Sequence, residues 1–337
     1  MTVTIKDIAK FAGVSKSTVS RVISGKGYIS EDAKRKVMEA IEELQYHPNA
    51  VARAMVSQRT NNIGVIIYRQ HHPIASHPFY GKILDAILMS AARLNYSVFV
   101  TTDKELSLIS ADYMLEKRVD GLILISRLSQ EVIGYIDKFN IPYIIVNGTI
   151  EKDDVIQIVN QDKKGGKMVA DHLYQQGHRC ISVIAGPQEH RSHHLRLQGF
   201  LERMHELGCY ICQEDIYYSP TSTFEDGHKG LYIIWERFCI KKPTAIFATN
   251  DMLALGGMQA LLEKSLRIPE DVAVSGFDNI DYSKMFHPPL TTVHVDKMRM
   301  GEDAVLLLDD LIKKEQVTPK RIEYEPQMIV RKSTKGE

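Results

Sequence analysis

With 337 residues, 44% hydrophobic and 25% charged, the chain has ordinary globular composition and room for a small head and a sizeable two-part body, which excludes a disordered protein. Net charge is zero, yet the first sixty residues carry ten basic side chains against six acidic ones, and the remainder 32 against 36. That division suits a basic head that meets phosphate and an acidic body that stays off it. No apolar run reaches bilayer-spanning length and the N-terminus has no apolar signal region, so a soluble, cytoplasmic protein is expected. The four cysteines, Cys180, Cys209, Cys212 and Cys239, fit a reducing compartment.

Thr4 is placed to cap a first helix, with Asp7 three residues on to complete a capping box and favour the positive end of the helix. Ile5, Ile8 and Ala9 share one face, and Gly13 ends the helix after Ala12. Ser15 caps a second helix that turns Val19, Val22 and Ile23 inward. Two short helices about a glycine turn make a helix-turn-helix. Lys16, Ser17, Thr18 and, one turn later, Arg21 are short or cationic donors suited to base edges and phosphates in a major groove. The same spacing also fits an ordinary helical hairpin with a solvated polar face. Gly25 and Gly27 mark a loop, and Ser30 opens a third helix in which Ala33, Val37, Ala40, Ile41 and Leu44 cover the first two. Pro48 ends it, and Asn49 can cap a segment, Ala50 to Val56, too short to stand alone as a helix.

The stretch TIKDIAKFAGVSKSTVSRVISGKGYISEDAKRKVMEAIEELQYHPNAVARAM resembles the DNA-binding headpiece of the LacI/GalR family of bacterial transcriptional regulators, with VSxxTVSRV followed by YxPN as its specific signature. The resemblance implies a hinge helix in the Ala50 to Val56 segment, folded only when two subunits sit on operator DNA. At the position of the family leucine that wedges into the minor groove this chain has Met55. A plain linker is the alternative. The residues expected at DNA are Thr4, Lys16, Ser17, Thr18, Ser20 and Arg21 in the head and Asn49, Ala52 and Met55 in the hinge.

From Asn62 onward apolar strands alternate with amphipathic helices. Strands are expected at Ile63–Tyr68, Val98–Thr101, Gly121–Ile125, Tyr143–Val146, Ile156–Val159, Ile181–Ala185, Ala245–Thr249 and Val272–Ser275. Helices are expected near Phe79–Leu94, Leu106–Lys117, Gln130–Lys138, Lys163–Gln176, His194–Leu207, Glu225–Phe238 and Asp251–Lys264. That run is too long for one lobe, so two doubly wound α/β lobes with a ligand between them at the carboxyl ends of the strands are expected. Further blocks, among them RLQGF, PTAIFATNDMLALG and PPLTTVHVDKMRMGEDA, resemble the same family and imply the fold of periplasmic sugar-binding proteins. The implied organisation is a helix-turn-helix head at 1–47, a hinge helix and linker at 48–61, and a body at 62–337. In that body a near lobe takes 62–160 plus 291–318, and a far lobe 161–290 plus 319–330 with one last strand near Ile322–Val330. The apolar stripe of Phe79–Leu94 is wide enough to serve both core and a partner subunit, or to be fully buried. With no heptad tail after Val330, a homodimer is expected.

No GxGxxG, Walker, HExxH or GxSxG motif is present, so an enzyme is not expected and neither is a cofactor. Cys209 and Cys212 form a lone CxxC, and the clusters His71/His72/His77 and His190/His193/His194 lack partners at metal-ligand spacing. By resemblance Arg196 in RLQGF reaches into the cleft, and Asn250 and Asp278 match two further cleft positions. A forked cation, an amide and a carboxylate offer what a polyhydroxylated sugar needs. A structural ion pair is the other reading of Arg196, and a strand-end turn or helix cap that of Asp278. Phe79 or Tyr80 can pack a ring on a sugar face, and Asn147 is a weaker cleft candidate. The expectation is a dimeric repressor of carbohydrate genes that binds near-palindromic operator DNA and responds to a small sugar-like effector. A corepressor-dependent or phosphocarrier-dependent regulator, or a solute-binding protein without DNA activity, are the alternatives.

Overall fold

The computed structural model describes residues 3–24, 28–46, 59–68, 76–103, 112, 114–116, 118–126, 130–152, 154–237, 242–315 and 320–334. It divides into one unit of residues 1–62 with 117–120 and a second of 63–116 with 121–337. Asn49, Ala52 and Met55 of the hinge, together with His71, His72 and most of the helix expected at Leu106–Lys117, lie outside the described residues.

The first unit holds α1 (Ile5–Ala12), α2 (Lys16–Ser24) and α3 (Glu31–Glu43). Both the Thr4 N–H and hydroxyl donate to Asp7 Oδ2, at 2.9 and 2.6 Å, so the carboxylate half of the capping box is formed. Gly13 adopts φ +65°, a left-handed cap that glycine takes without steric cost, and its N–H closes back on the Ala9 carbonyl. Ile8, Val19, Val37 and Ala40 are fully buried where the three helices meet, with Tyr46 closing one end. In the same unit, Asp120 accepts the Thr60 N–H at 2.7 Å, the Thr60 hydroxyl at 2.9 Å and the Asn61 N–H at 2.8 Å.

In the second unit the first lobe is a six-stranded sheet in the order β11-β5-β4-β3-β1-β2. Its strands are β1 (Asn62–Tyr68), β2 (Ser97–Asp103), β3 (Gly121–Ile125), β4 (Tyr143–Val146), β5 (Ile156–Asn160) and β11 (Arg321–Tyr324). Its helices include α4 (Tyr80–Arg93), α5 (Gln130–Asp137) and α11 (Lys297–Lys313), the last lying along α4. The second lobe is a parallel sheet in the order β7-β6-β8-β9, from β6 (Ile181–Ala185), β7 (Ile216–Tyr218), β8 (Ala245–Ala248) and β9 (Ala273–Ser275). Around it stand α6 (Asp162–Gln175), α7 (Arg191–Glu206), α8 (Phe224–Arg237) and α9 (Asp251–Glu263). A short α10 (Asp281–Met285) leads to β10 (Thr292–His294), which pairs antiparallel with β12 (Gln327–Ile329). Strands β3, β4, β5, β6 and β8 are buried along their whole length, as parallel strands covered on both faces must be.

The single last strand expected near Ile322–Val330 in the far lobe is corrected. Its first part is β11, which runs parallel to β5 and extends the sheet of the first lobe, and only after Glu325 and Pro326 does β12 turn to β10. Proline has no N–H for a ladder, so one continuous strand is not available there. On α4 the fully buried alternative is excluded: Ile83, Ala86, Ile87 and Ala91 are buried, whereas Leu88 and Met89 are 42% and 52% exposed. Helix α7 begins at Arg191, three residues before the expected start, which puts Arg191, Ser192 and His193 in its first turn.

Candidate DNA-reading face and effector cleft

Helix α2 turns Val19 into the core and leaves Lys16, Ser17 and Arg21 exposed, with Thr18 and Ser20 half-buried. Ser15 Oγ accepts the Thr18 N–H at 3.1 Å and shares hydroxyl hydrogen bonds with Ser17 and Thr18 at 2.6 and 2.9 Å. The helix is thereby capped by Ser15, and its cations remain at the surface. Thr4 stays exposed at the start of α1.

The cleft of the second unit is organised by Arg196, 3% exposed on α7. It reaches its place because α6 and α7 cross backbone to backbone. A Cβ on Gly166 would stand 2.1 Å from the Arg196 carbonyl oxygen, and one on Gly199 2.0 Å from that of Lys163, so neither position has room for a side chain. Arg196 Nε donates to Asp162 Oδ1 at 2.8 Å, and Nη1 donates to the Thr249 carbonyl at 2.9 Å and pairs with Asp278 Oδ1 at 2.9 Å. The guanidinium carbon lies 3.9 Å over the buried Phe277 ring. Burial opposes the guanidinium charge, but Asp278 and Asp162 outweigh it and hold Arg196 more firmly protonated than usual.

The remaining expected cleft residues also have tasks within the fold. Asn250 caps α9: its Oδ1 accepts the Leu253 N–H at 2.9 Å and its Nδ2 donates to the Ser222 carbonyl at 3.2 Å. Asp278 sits at φ +111° in a loop whose main chain is tied to β10, its own N–H donating to the Val293 carbonyl at 2.9 Å. Tyr80 donates its hydroxyl to Ser126 Oγ at 3.2 Å and receives Asn147 Nδ2 at 3.5 Å, and Phe79 meets the Tyr80 ring edge-on. His193 is buried between the Thr249 hydroxyl at 2.7 Å and the Ser222 hydroxyl at 3.0 Å, and burial pushes its pKa well down, so it stays neutral. Of the CxxC, Cys209 is buried and Cys212 exposed, both as free thiols.

Open space lies elsewhere in the cleft. A cavity of about 200 Å³ is lined by Asn147, Thr149 and Asp162 on one side and His190, Arg191 and Ser192 on the other. Of the six residues expected at an effector, only Asn147 lines it. Sequence reasoning missed Asp162, Arg191 and Ser192 for this role. An acid two residues after β5, at the carboxyl end of a parallel strand, was the available signal for Asp162. The early start of α7, which brings in the other two, had none.

The match to known proteins is decisive for the family. Residues 4–49 fit the model of bacterial regulatory proteins, lacI family, and residues 170–334 that of the periplasmic binding protein-like domain. The HTH-type transcriptional repressor PurR of Actinobacillus pleuropneumoniae serotype 3 (strain JL03) is 36% identical over 342 residues, covering 99% of this chain and 98% of that protein. The chain belongs to the LacI family. Among solved structures, the lac repressor dimer bound to operator and the anti-inducer ONPF superimposes with a TM-score of 0.86 at 28% identity, with 99% of each chain covered. The transcriptional regulator CelR in complex with cellobiose gives a TM-score of 0.75 at 27% identity, covering 98% and 99%. In this LacI-family chain the expected head and α/β body are both present. No helix among the described residues is long and apolar enough to cross a membrane.

Proposed function

We propose that the chain is a homodimeric transcriptional repressor whose operator affinity is set by a small polar effector in the cleft between the lobes. The observation that carries this is the pairing of an exposed donor set on α2, Lys16, Ser17 and Arg21, with a body that holds a small, polar, ready-formed cavity. The exposed Leu88 and Met89 of α4 supply an apolar strip for the second subunit, and the lac repressor neighbour is itself a dimer on its operator. A two-fold dimer presents two α2 helices to successive major grooves.

The effector fits the cavity by size and polarity. At about 200 Å³ it is smaller than the ~300–1,000 Å³ pockets of drug-sized ligands, so it takes a molecule of about one ring. Arg191 and the positive end of α7 face the same cavity as the carboxylates Asp162 and Glu189, a lining that suits an effector presenting both acceptors and donors. The sugar implied by resemblance is favoured by the cellobiose complex of CelR, but the site gives it less support than the motifs did. Arg196 and Asn250, expected to hold hydroxyls, are bound to Asp162, Asp278, Thr249, Leu253 and Ser222 instead. Carbohydrate control therefore rests on sugar-bound neighbours of this kind and not on the site.

Duplexes selected from a random pool, followed by titration of the complex with monosaccharides, sugar phosphates and nucleobases, test this reading. One class is expected to change operator affinity by about 5-fold or more, release marking an inducer and tightening a corepressor. A protein that binds selected and scrambled duplexes equally is not a repressor of this kind.

A further inference from the structure

Lys297 is the first residue of α11 and is 7% exposed. An ammonium there is doubly unfavourable, since it is removed from water and stands at the positive end of a helix. Its surroundings answer this with main-chain oxygen. Nζ donates to the carbonyls of Asp278, of Asn279 at 3.3 Å and of Val295 at 3.0 Å. Asp278 and Asn279 are consecutive residues at positive φ, +111° and +51°, and in that conformation both carbonyls meet the one ammonium. The same Asp278 pairs through its carboxylate with Arg196 in the cleft. On the other side, α11 packs along α4, and the Phe79 ring at the start of α4 lies 5.7 Å from Lys297 Nζ.

We propose that Lys297 is the positioning residue that couples the Arg196–Asp278 pair of the cleft to α11 and α4 of the first lobe, through the two carbonyls of the 278–279 turn. The reading rests on the proposed effector control, and gives it a path. A change in what Arg196 holds alters Asp278, tilts the two carbonyls, and is felt at the end of α11 because two of the three carbonyls that solvate the ammonium belong to that turn. A buried lysine that only filled space is replaceable by methionine without loss of communication. The exposed Lys82–Asp281 pair, at 3.1 Å, also spans the lobes but is open to water and screened.

The test is hydrogen exchange of the full-length protein, without DNA or effector, so that its outcome is separate from that of the repressor reading. Asp278→Asn perturbs the cleft pair, and the readout is exchange in residues 297–304. In the otherwise unchanged chain Asp278→Asn is expected to speed that exchange by about 5-fold or more, and by less than about 2-fold once Lys297→Met is present. Lys82→Met is expected to leave the response intact. An equal response with and without Lys297 overturns the proposal, as does no response in the unchanged chain. Should Lys297→Met not fold, Lys297→Gln carries the same test, its amide retaining two donors. A weakened response then supports the coupling and an undiminished one rejects it.

Discussion

The face of α2 and the floor of the cleft are both polar, but they are built in opposite ways. On α2 the cations are exposed, and the short hydroxyls of Ser17 and Thr18 bond locally to Ser15. In the cleft Arg196, Asp162 and Asp278 are buried and ion-paired with one another. A surface that must exchange water and counterions for phosphate keeps its donors at the solvent, whereas a cleft that must hold one shape binds its charges internally. The two regions therefore answer differently to substitution.

The largest contrast is expected between Arg196 and Arg21. Arg196→Met leaves Asp162 and Asp278 buried without their cation and is expected to cost about 3–5 kcal/mol in urea unfolding, whereas Arg21→Ala should stay within about 0.5 kcal/mol and weaken DNA binding. Equal effects on stability would erase the distinction. Next comes Asp251, buried beneath the cleft, where its Oδ2 accepts the Ile280 N–H at 2.8 Å and its Oδ1 the Thr292 hydroxyl at 2.5 Å. Burial, reinforced by Asp278, pushes its carboxyl from 3.8 up to about 7. Between those values the folded chain keeps a proton that the unfolded chain has lost, so this group's contribution to stability falls as pH rises through the window and levels above about 7. Asp251→Asn should flatten that part of the pH profile of the urea midpoint, and an unchanged slope would show that Asp251 is ionised throughout. A smaller effect, about 1 kcal/mol, is expected for Asn250→Ala through loss of the α9 cap, with Asn250→Asp recovering most of it. If Asn250→Ala is neutral in stability yet removes the effector response, the residue serves the ligand rather than the helix.

The same contrast explains what could be read in advance. The head was legible because its caps, glycine turn and inward apolar residues are all local in sequence, from the Thr4–Asp7 pair to the Ser30 cap. Strands β3, β4 and β6 were legible to the residue, since an unbroken apolar run has one meaning between two layers of helix. Strand β7 was not: Ile216-Tyr217-Tyr218 is too short to show a period and is recognised only by its pairing with β6. The cleft residues carried family motifs, but a motif gives a position and not its partners. That Arg196 is held by Asp162, 34 positions away, depends on two helices crossing at Gly166 and Gly199. Lys297 gave no signal, because nothing local marks a lysine whose solvation comes from a distant turn.

The central claim is tested most directly by the affinity of the purified chain for a duplex selected from a random pool against the same duplex scrambled, in physiological salt, before and after Arg21→Ala. The account predicts a ratio of at least about 10³ for the unchanged protein and a marked fall on substitution. A ratio near one, unaltered by the loss of Arg21, would contradict it.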